Sequence, residues 1–226
     1  MIRLKWSEAL QRKIRQDDVA ELAIPTWTLV RQAIQGKRID EALDLFEYCY
    51  EEDKEQDDNM ASIAETFITR IASFGEEEVE KVWREGGWYT KAKKWLSLIG
   101  GVDESLQRWV EIQRAHKGEL TITEEPDKYV VRCDPCGTGG RVRRTRSVGI
   151  LKKAYPWSWS QTGVPIYCTH CCAYFEIFAI ELRGYPIAVF LPSDKPEEPC
   201  IQLFYKKPEL IPEEYFTRVG KTKTIK

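Results

Sequence analysis

Two short cysteine motifs constrain this chain more than any other feature. Cys133-Asp-Pro-Cys136 and Cys168-Thr-His-Cys171 each hold two thiols, and 31 residues separate the motifs. A C-x-x-C turn brings two sulfurs within reach of one metal ion, and two such turns supply a tetrahedral zinc site. The gap exceeds the usual spacing of about 15–20 residues, which predicts a longer loop or hairpin between the turns. We therefore predict Zn²⁺ as a cofactor, bound by Cys133, Cys136, Cys168 and Cys171.

The second motif carries more donors than one metal ion needs. His170 competes with Cys171 as the fourth ligand, and Cys172 is a spare thiol. Four thiolates would close the zinc shell and make a structural site, whereas an open position would admit water or substrate. The structural role is the simpler hypothesis, but the surplus of donors keeps the catalytic role open. An iron–sulfur cluster could use the same thiolates and is less favoured.

Composition and charge place the chain among ordinary globular proteins. It has 226 residues, 42% of them hydrophobic, and a net charge of −2, so nothing global indicates a nucleic-acid or membrane partner. No apolar run approaches the roughly 18 residues that span a bilayer, and the charged N-terminus lacks the apolar core of a secretory signal. We predict a cytoplasmic protein without membrane contact, in which clustered thiols stay reduced. A homo-oligomer is compatible with the sequence.

The hydrophobic pattern changes near residue 118 and predicts an α+β fold in two parts. Residues 1–118 have helical periodicity and predict a helical bundle, whereas residues 119–226 predict a small antiparallel sheet domain held together by zinc. The predicted helices cover residues 25–36, 39–56, 59–75, 76–87, 103–118, 173–184 (with a strand as the alternative) and 211–220. The predicted strands cover residues 119–125, 128–133, 141–153, 185–191 and 200–206.

A basic segment followed by tryptophans predicts an anion-binding surface. Arg141 and Arg143 precede Trp157 and Trp159 in "RVRRTRSVGILKKAYPWSW". Arginines bind carboxylates and phosphates, and tryptophans stack on flat groups, so a small anionic molecule is the favoured ligand. Single-stranded nucleic acid uses the same residue types but is the weaker candidate, because the N-terminal part is acidic. The plainest alternative is a solvated strand face with buried tryptophans.

Candidates for acid–base or nucleophilic chemistry are few. We single out Cys172 as a nucleophile, Glu176 as a base and His170 as a catalytic or ligating imidazole. Asp134 is a second candidate base, although it also suits a turn, and Cys200 is a second candidate nucleophile.

The C-terminal part resembles an uncharacterised bacterial family. The resemblance rests on "CDPCGTGGR", "PWSW", "TGVPIYCTHC" and "GYPIAVF" and covers about residues 119–218. It implies a helical N-terminal region joined to a cysteine-rich module, but no activity. A fainter similarity is to the aminothiazoline-carboxylate hydrolase-like family. In this comparison Cys133, Cys168 and Cys200 would take the positions of that family's cysteines. This similarity implies small-molecule chemistry, although doubling the first two cysteines into C-x-x-C motifs favours a metal over cysteine-based hydrolysis.

Together these features predict a zinc-binding enzyme. Hydrolysis or lysis of a small anionic substrate is the expected chemistry, in a pocket between the helical and the zinc-binding parts. The alternative is a non-catalytic module with a structural zinc that binds a protein or single-stranded nucleic acid.

Overall fold

The computed structural model describes residues 4–8, 11–15 and 23–225, apart from the side chain of Trp88. Contacts within the backbone divide the chain into two compact units, Met1–Gln56 and Asp57–Lys226. In the described residues no helix is long and apolar enough to cross a membrane.

The first unit combines a hairpin with helices. Strands β1 (Leu4–Ser7) and β2 (Arg12–Arg15) pair antiparallel, so this part of the segment expected to be helical is not a helix. Antiparallel pairing satisfies the backbone N–H and C=O groups of two strands too short to be stable alone. Helix α1 (Thr26–Gln35) follows the predicted bounds closely. The buried apolar side chains that pack together here are Ala33, Ala42 and Leu45.

Helix α2 (Ile39–Ala72) is one continuous helix of 34 residues where two were predicted. The interruption was placed in the acidic run between residues 51 and 58. That run contains neither glycine nor proline, and charged side chains on an exposed face do not break the backbone hydrogen bonds of a helix. The boundary between the two units falls within α2.

Three further helices and a sheet build the second unit. Helices α3 (Glu78–Glu85) and α5 (Val102–Ala115) were predicted, whereas α4 (Gly87–Leu98) was not. Two glycines precede the helical spacing of Ala92 and Leu96, and they obscured it. Both side chains are buried in the main core.

A four-stranded antiparallel sheet has the order β3-β4-β6-β5. Its strands are β3 (Leu120–Glu124), β4 (Lys128–Cys133), β5 (Val189–Leu191) and β6 (Cys200–Tyr205), which confirms four of the five predicted strands. The β4–β6 pairing joins strands nearly 70 residues apart in sequence and sets Cys133 opposite Cys200.

The fifth predicted strand, over residues 141–153, is wrong: its first part is helical, and the rest has only an isolated β-bridge between Ile150 and Pro165. Residues Gly139–Thr145 form helix α6, and Arg146 N–H continues it by donating to the carbonyl of Val142. Period-two spacing of arginines suggested a strand with an exposed basic face. Instead Arg141 and Arg143 are both buried and find acceptors on different sides of the helix.

A buried helical segment runs through the centre of the unit. We call residues 169–183 α7; it consists of Thr169–Cys171, a π-helical stretch Cys172–Ile177 and Phe178–Arg183. Gly184 ends it with a φ of +84°, a left-handed conformation that suits glycine. The π-helical stretch contacts β5 and α3, and α4 packs against the last part of α7. A short helix, α8 (Glu214–Thr217), follows.

The chain thus combines helices with small antiparallel sheets, which confirms the α+β class. Helices α3–α5 share one hydrophobic core with the sheet and α7, and the change of pattern near residue 118 lies inside the second unit.

Candidate thiol-lined site

The second unit contains a cavity of about 410 Å³. Its lining comes from the second half of α2, from α3–α5, from both cysteine motifs, from α6 and from the ends of β4 and β6. Phe67 lines it and is 67% exposed, so the cavity reaches the surface beside α2. Both the helices before residue 118 and the cysteine-rich part after it therefore contribute walls.

Five of the seven cysteines line this cavity. They form what we call the thiol cluster: Cys133, Cys136, Cys168, Cys171 and Cys200. It contains all four cysteines predicted as metal ligands.

Two glycines at the start of α6 bring the motifs together. The N–H of Gly140 donates to Cys136 Sγ at 3.0 Å. A Cβ at Gly139 would lie 2.8 Å from Cys168 Sγ, well inside ordinary contact distance. The sulfurs of the two motifs therefore lie against the same turn of backbone, and any larger residue at position 139 would displace one of them.

Cys200 is the member of the cluster that sequence reasoning did not assign to the metal. It lies opposite Cys133 on the neighbouring strand, and Gln202 links the pair: Cys133 Sγ donates to Gln202 Oε1 at 3.1 Å, and Gln202 Nε2 donates to the Cys200 carbonyl. Besides the faint family similarity that groups Cys200 with Cys133 and Cys168, the sequence offers one signal: "KYVVRC" ends and "CIQLFYK" begins with cysteine, which becomes informative once the two strands are paired.

Burial controls the protonation of the cluster. It raises the pKa of the Cys133, Cys168 and Cys171 thiols above their ordinary value, and that of Cys200 to about 12. The negative charges that neighbouring thiolates would carry raise these values further, whereas the positive charge of Arg143 lowers those of Cys168 and Cys200. Without a bound cation these thiols are protonated at neutral pH and are weak nucleophiles.

His170 presents one free nitrogen lone pair to the cluster. Its Nδ1 lies 2.6 Å from the carbonyl oxygen of Tyr167, which can only accept, so Nδ1 carries the proton. Nε2 is then an acceptor, and Cys171 Sγ lies 3.5 Å from it. Burial lowers the pKa of His170 to about 4, so the imidazole is neutral at physiological pH.

The two arginines predicted to bind substrate have different surroundings. Arg141 does not line the cavity; its guanidinium pairs with Asp58 at 2.6 Å and donates to the carbonyls of His116 and Lys117. Arg143 does line the cavity and donates to the carbonyls of Ser193 and Glu198. Of the two, only Arg143 is placed to meet a ligand there.

The other predicted residues lie in or beside the core. Cys172 is fully buried, is not part of the cavity lining, and contacts the carbonyl of Pro156 at 3.5 Å. Glu176 is fully buried and lies outside the lining, where it accepts hydrogen bonds from Trp159 Nε1, the Phe190 N–H and Arg218. These contacts give Glu176 a structural role beside the cavity.

Neither predicted tryptophan presents a ring to the surface. Trp157 and Trp159 are each 2% exposed; Trp157 stacks on Tyr155 with ring centres 4.7 Å apart, and Trp159 contributes an edge of the cavity. Stacking on a nucleobase would require Trp157 to leave the core.

An aromatic wall faces the cavity, and sequence reasoning did not anticipate it. It consists of Trp83, Trp95, Trp109, Tyr174 and Phe175. Two of its polar N–H groups are already bound: Trp83 Nε1 donates to Thr169 Oγ1 and Trp109 Nε1 to Gln202 Oε1.

The donor set suits a thiophilic divalent metal, because thiolates and imidazole are the ligands that zinc prefers. Among the residues that the structure describes, however, no three His, Cys, Asp or Glu side chains converge closely enough to hold an ion. Rotation of side chains within the thiol cluster would be needed to form a ligand shell. Zinc binding therefore stays a prediction.

No protein-family model, curated protein or solved structure matches this chain. The resemblances drawn from its motifs accordingly stay predictions, and functional reasoning depends on the site itself.

Proposed function

We propose that this protein is a zinc-dependent enzyme that acts on a small anionic molecule by hydrolysis or lysis. The observation that carries the proposal is that five thiols and His170 line one cavity with room for a ligand. A purely structural zinc needs four donors and no adjoining space, whereas six candidate donors beside a cavity leave positions for substrate.

Three of Cys133, Cys136, Cys168 and Cys171 would hold the metal and leave its fourth position to a lighter ligand, and Cys200 and His170 line the same cavity. When bound, zinc would supply Lewis-acid polarisation of a substrate carbonyl or activation of a water molecule. Its positive charge would also favour the thiolate forms that burial otherwise disfavours.

The chain's own residues would bind the substrate and move a proton. Neutral His170 can accept a proton at Nε2, since Nδ1 is fixed by the carbonyl of Tyr167. The aromatic wall would exclude water from the reacting groups, and Arg143 would balance the charge of an anionic substrate. Cys172 and Glu176 have no part in this proposal, because neither lines the cavity.

Metal analysis joined to X-ray absorption tests the proposal. We expect about one zinc per chain, with a shell of three sulfurs and a lighter ligand, either nitrogen or water oxygen. A shell of four sulfurs would indicate a closed structural site and contradict the enzymatic role.

Two matched cysteine variants locate the ligands. Cys133→Ser should lose most of the zinc, because it removes a donor from the cluster. Cys172→Ser should keep it, because this thiol faces the carbonyl of Pro156. Zinc retained in Cys133→Ser and lost in Cys172→Ser would show that the ligand assignment is wrong.

A further inference from the structure

Arg143 is a buried cation that forms no ion pair with a carboxylate in the described part of the chain. It is 9% exposed, and its two terminal nitrogens donate to the backbone carbonyls of Ser193 and Glu198. Its Nε has no hydrogen-bond partner among the residues that the structure describes. The nearby Glu198 carboxylate does not fill this role, because it binds Ser193 Oγ and Lys195 Nζ. Buried charges are normally paired, and no carboxylate among the described residues forms an ion pair with this one, so the guanidinium is available to an anionic ligand.

The neighbouring arginines show that the lack of a carboxylate partner is particular to Arg143. Arg144 pairs with Asp134, and Arg141 pairs with Asp58. Both belong to the same helix, α6, and both have an internal carboxylate. Only Arg143 combines burial, a place in the cavity lining and an unused donor.

Aromatic rings form an apolar part of the cavity lining. The Trp109 ring meets Phe175 edge-on, with centres 4.9 Å apart, and the Trp95 and Phe175 rings are 5.8 Å apart. Trp83 and Tyr174 continue the wall, with ring centres 6.0 Å apart. Since the N–H groups of Trp83 and Trp109 are bound elsewhere, the rings offer faces and edges but few hydrogen bonds.

We propose that the substrate of this site is a planar aromatic carboxylate. Its carboxylate would accept a hydrogen bond from the Arg143 guanidinium, and its ring would lie against the aromatic wall. The Ser193 and Glu198 carbonyls use two of the five N–H groups of this guanidinium, and its planar fork of donors matches the two oxygens of a carboxylate. The proposal deepens the proposed function by naming its substrate class, and it rests on that function.

Isothermal titration of the full-length protein with three probes tests the inference. 2-Naphthoate carries both the ring and the charge, 2-naphthamide keeps the ring without the charge, and propionate keeps the charge without the ring. We expect 2-naphthoate to bind one per chain and each of the other two to bind at least tenfold more weakly. Tenfold corresponds to about 1.4 kcal/mol.

Two matched variants then locate the anion. Arg143→Met should bind 2-naphthoate and 2-naphthamide with equal affinity, because the buried charge is gone. Arg144→Met is the control: it removes an arginine that already has a carboxylate partner, and it should keep the tenfold preference. The three-probe comparison on the unaltered chain needs neither variant, so a failure of Arg143→Met to fold leaves the test intact.

The inference would be overturned if 2-naphthoate did not bind, if the protein bound 2-naphthamide within threefold as tightly, or if it bound propionate as tightly as 2-naphthoate. It would also be overturned if Arg144→Met, but not Arg143→Met, lost the preference for 2-naphthoate over 2-naphthamide. Zinc analysis of the same samples separates this failure from that of the proposed function. An open zinc shell without selectivity for 2-naphthoate would refute the inference only, whereas selective binding by a zinc-free protein would refute the metal chemistry only.

Discussion

Replacing Glu176 by glutamine should destabilise the protein strongly, although the change is nearly isosteric. Glu176 is fully buried, and its Oε1 accepts from Trp159 Nε1 at 2.7 Å and from the Phe190 N–H at 2.8 Å. Arg218 Nη2 lies 2.9 Å from both carboxylate oxygens. Because donors approach both oxygens, an amide NH₂ group at either position would face another N–H.

The expected magnitude follows from the buried ion pair. Removing one partner of such a pair costs about 3–5 kcal/mol, because the remaining charge stays buried without compensation. Here that charge is the Arg218 guanidinium, whose side chain is 16% exposed and which also donates to the Phe190 carbonyl. A loss of this size is a large fraction of the roughly 5–15 kcal/mol that stabilises a typical domain.

Glu181→Gln on the same helix is the matched control. Glu181 also binds basic side chains, Arg84 and Lys221, but it is 29% exposed. Partly exposed ion pairs contribute about 0–1 kcal/mol, so the same chemical change should cost far less there. Urea unfolding followed by tryptophan fluorescence and circular dichroism gives both free energies of unfolding.

The reasoning would be refuted if Glu176→Gln cost less than about 1 kcal/mol or no more than Glu181→Gln. A double variant, Glu176→Gln with Arg218→Met, checks the mechanism. Because it also removes the uncompensated charge, it should be less destabilised than the sum of the two single variants. Simple additivity would show that the pair is not coupled.

Two further predictions concern backbone space and pH. Gly139→Ala should lower both the urea midpoint and the zinc content, because the added Cβ would lie 2.8 Å from Cys168 Sγ. Gly87→Ala is the control: an added Cβ there has nothing within 4 Å, so the urea midpoint and the zinc content should be unchanged or slightly higher. Normal zinc content in Gly139→Ala would contradict the close approach of Gly139 to Cys168. Burial raises the pKa of Glu181, but hydrogen bonds from its basic partners outweigh burial and hold it below the ordinary value of 4.5. Stability from this carboxylate is therefore fully present above pH of about 4.5 and is lost as pH falls through the lower folded-state pKa. Urea titrations at a series of pH values should show that the free energy of unfolding falls more steeply with decreasing pH in the unaltered chain than in Glu181→Gln. Parallel pH dependences in the two proteins would contradict this prediction.

Local patterns predicted most of the secondary structure. Helical spacing located α1, α3 and α5, and period-two alternation located the β3–β4 hairpin. Such signals succeed where an element buries one face, because burial imposes the period of the element on its apolar residues.

Helix α6 was misassigned as a strand because two of its arginines, Arg141 and Arg143, are buried rather than solvated. Arginines at alternate positions suggested a solvated strand, but in α6 the chain provides acceptors for the buried arginines: the Asp58 carboxylate for Arg141, and the Ser193 carbonyl for Arg143. Those acceptors come from segments more than 45 residues away in either direction. No window of local sequence contains them, so periodicity alone could not reveal that the arginines are buried.

The same limit applied to the site, and it explains why the motifs were found while the extra thiol and the aromatic wall were not. A C-x-x-C motif is local and can be read directly, but Cys200 joins the cluster only because β6 pairs with β4 in a particular register. A slip of one residue in that register would turn Cys200 to the opposite face of the sheet, away from Cys133. The aromatic wall depends in the same way on α3–α5 packing in one unit with α7. The extra thiol and the aromatic surface, which distinguish a ligand site from a simple zinc staple, are therefore products of tertiary pairing.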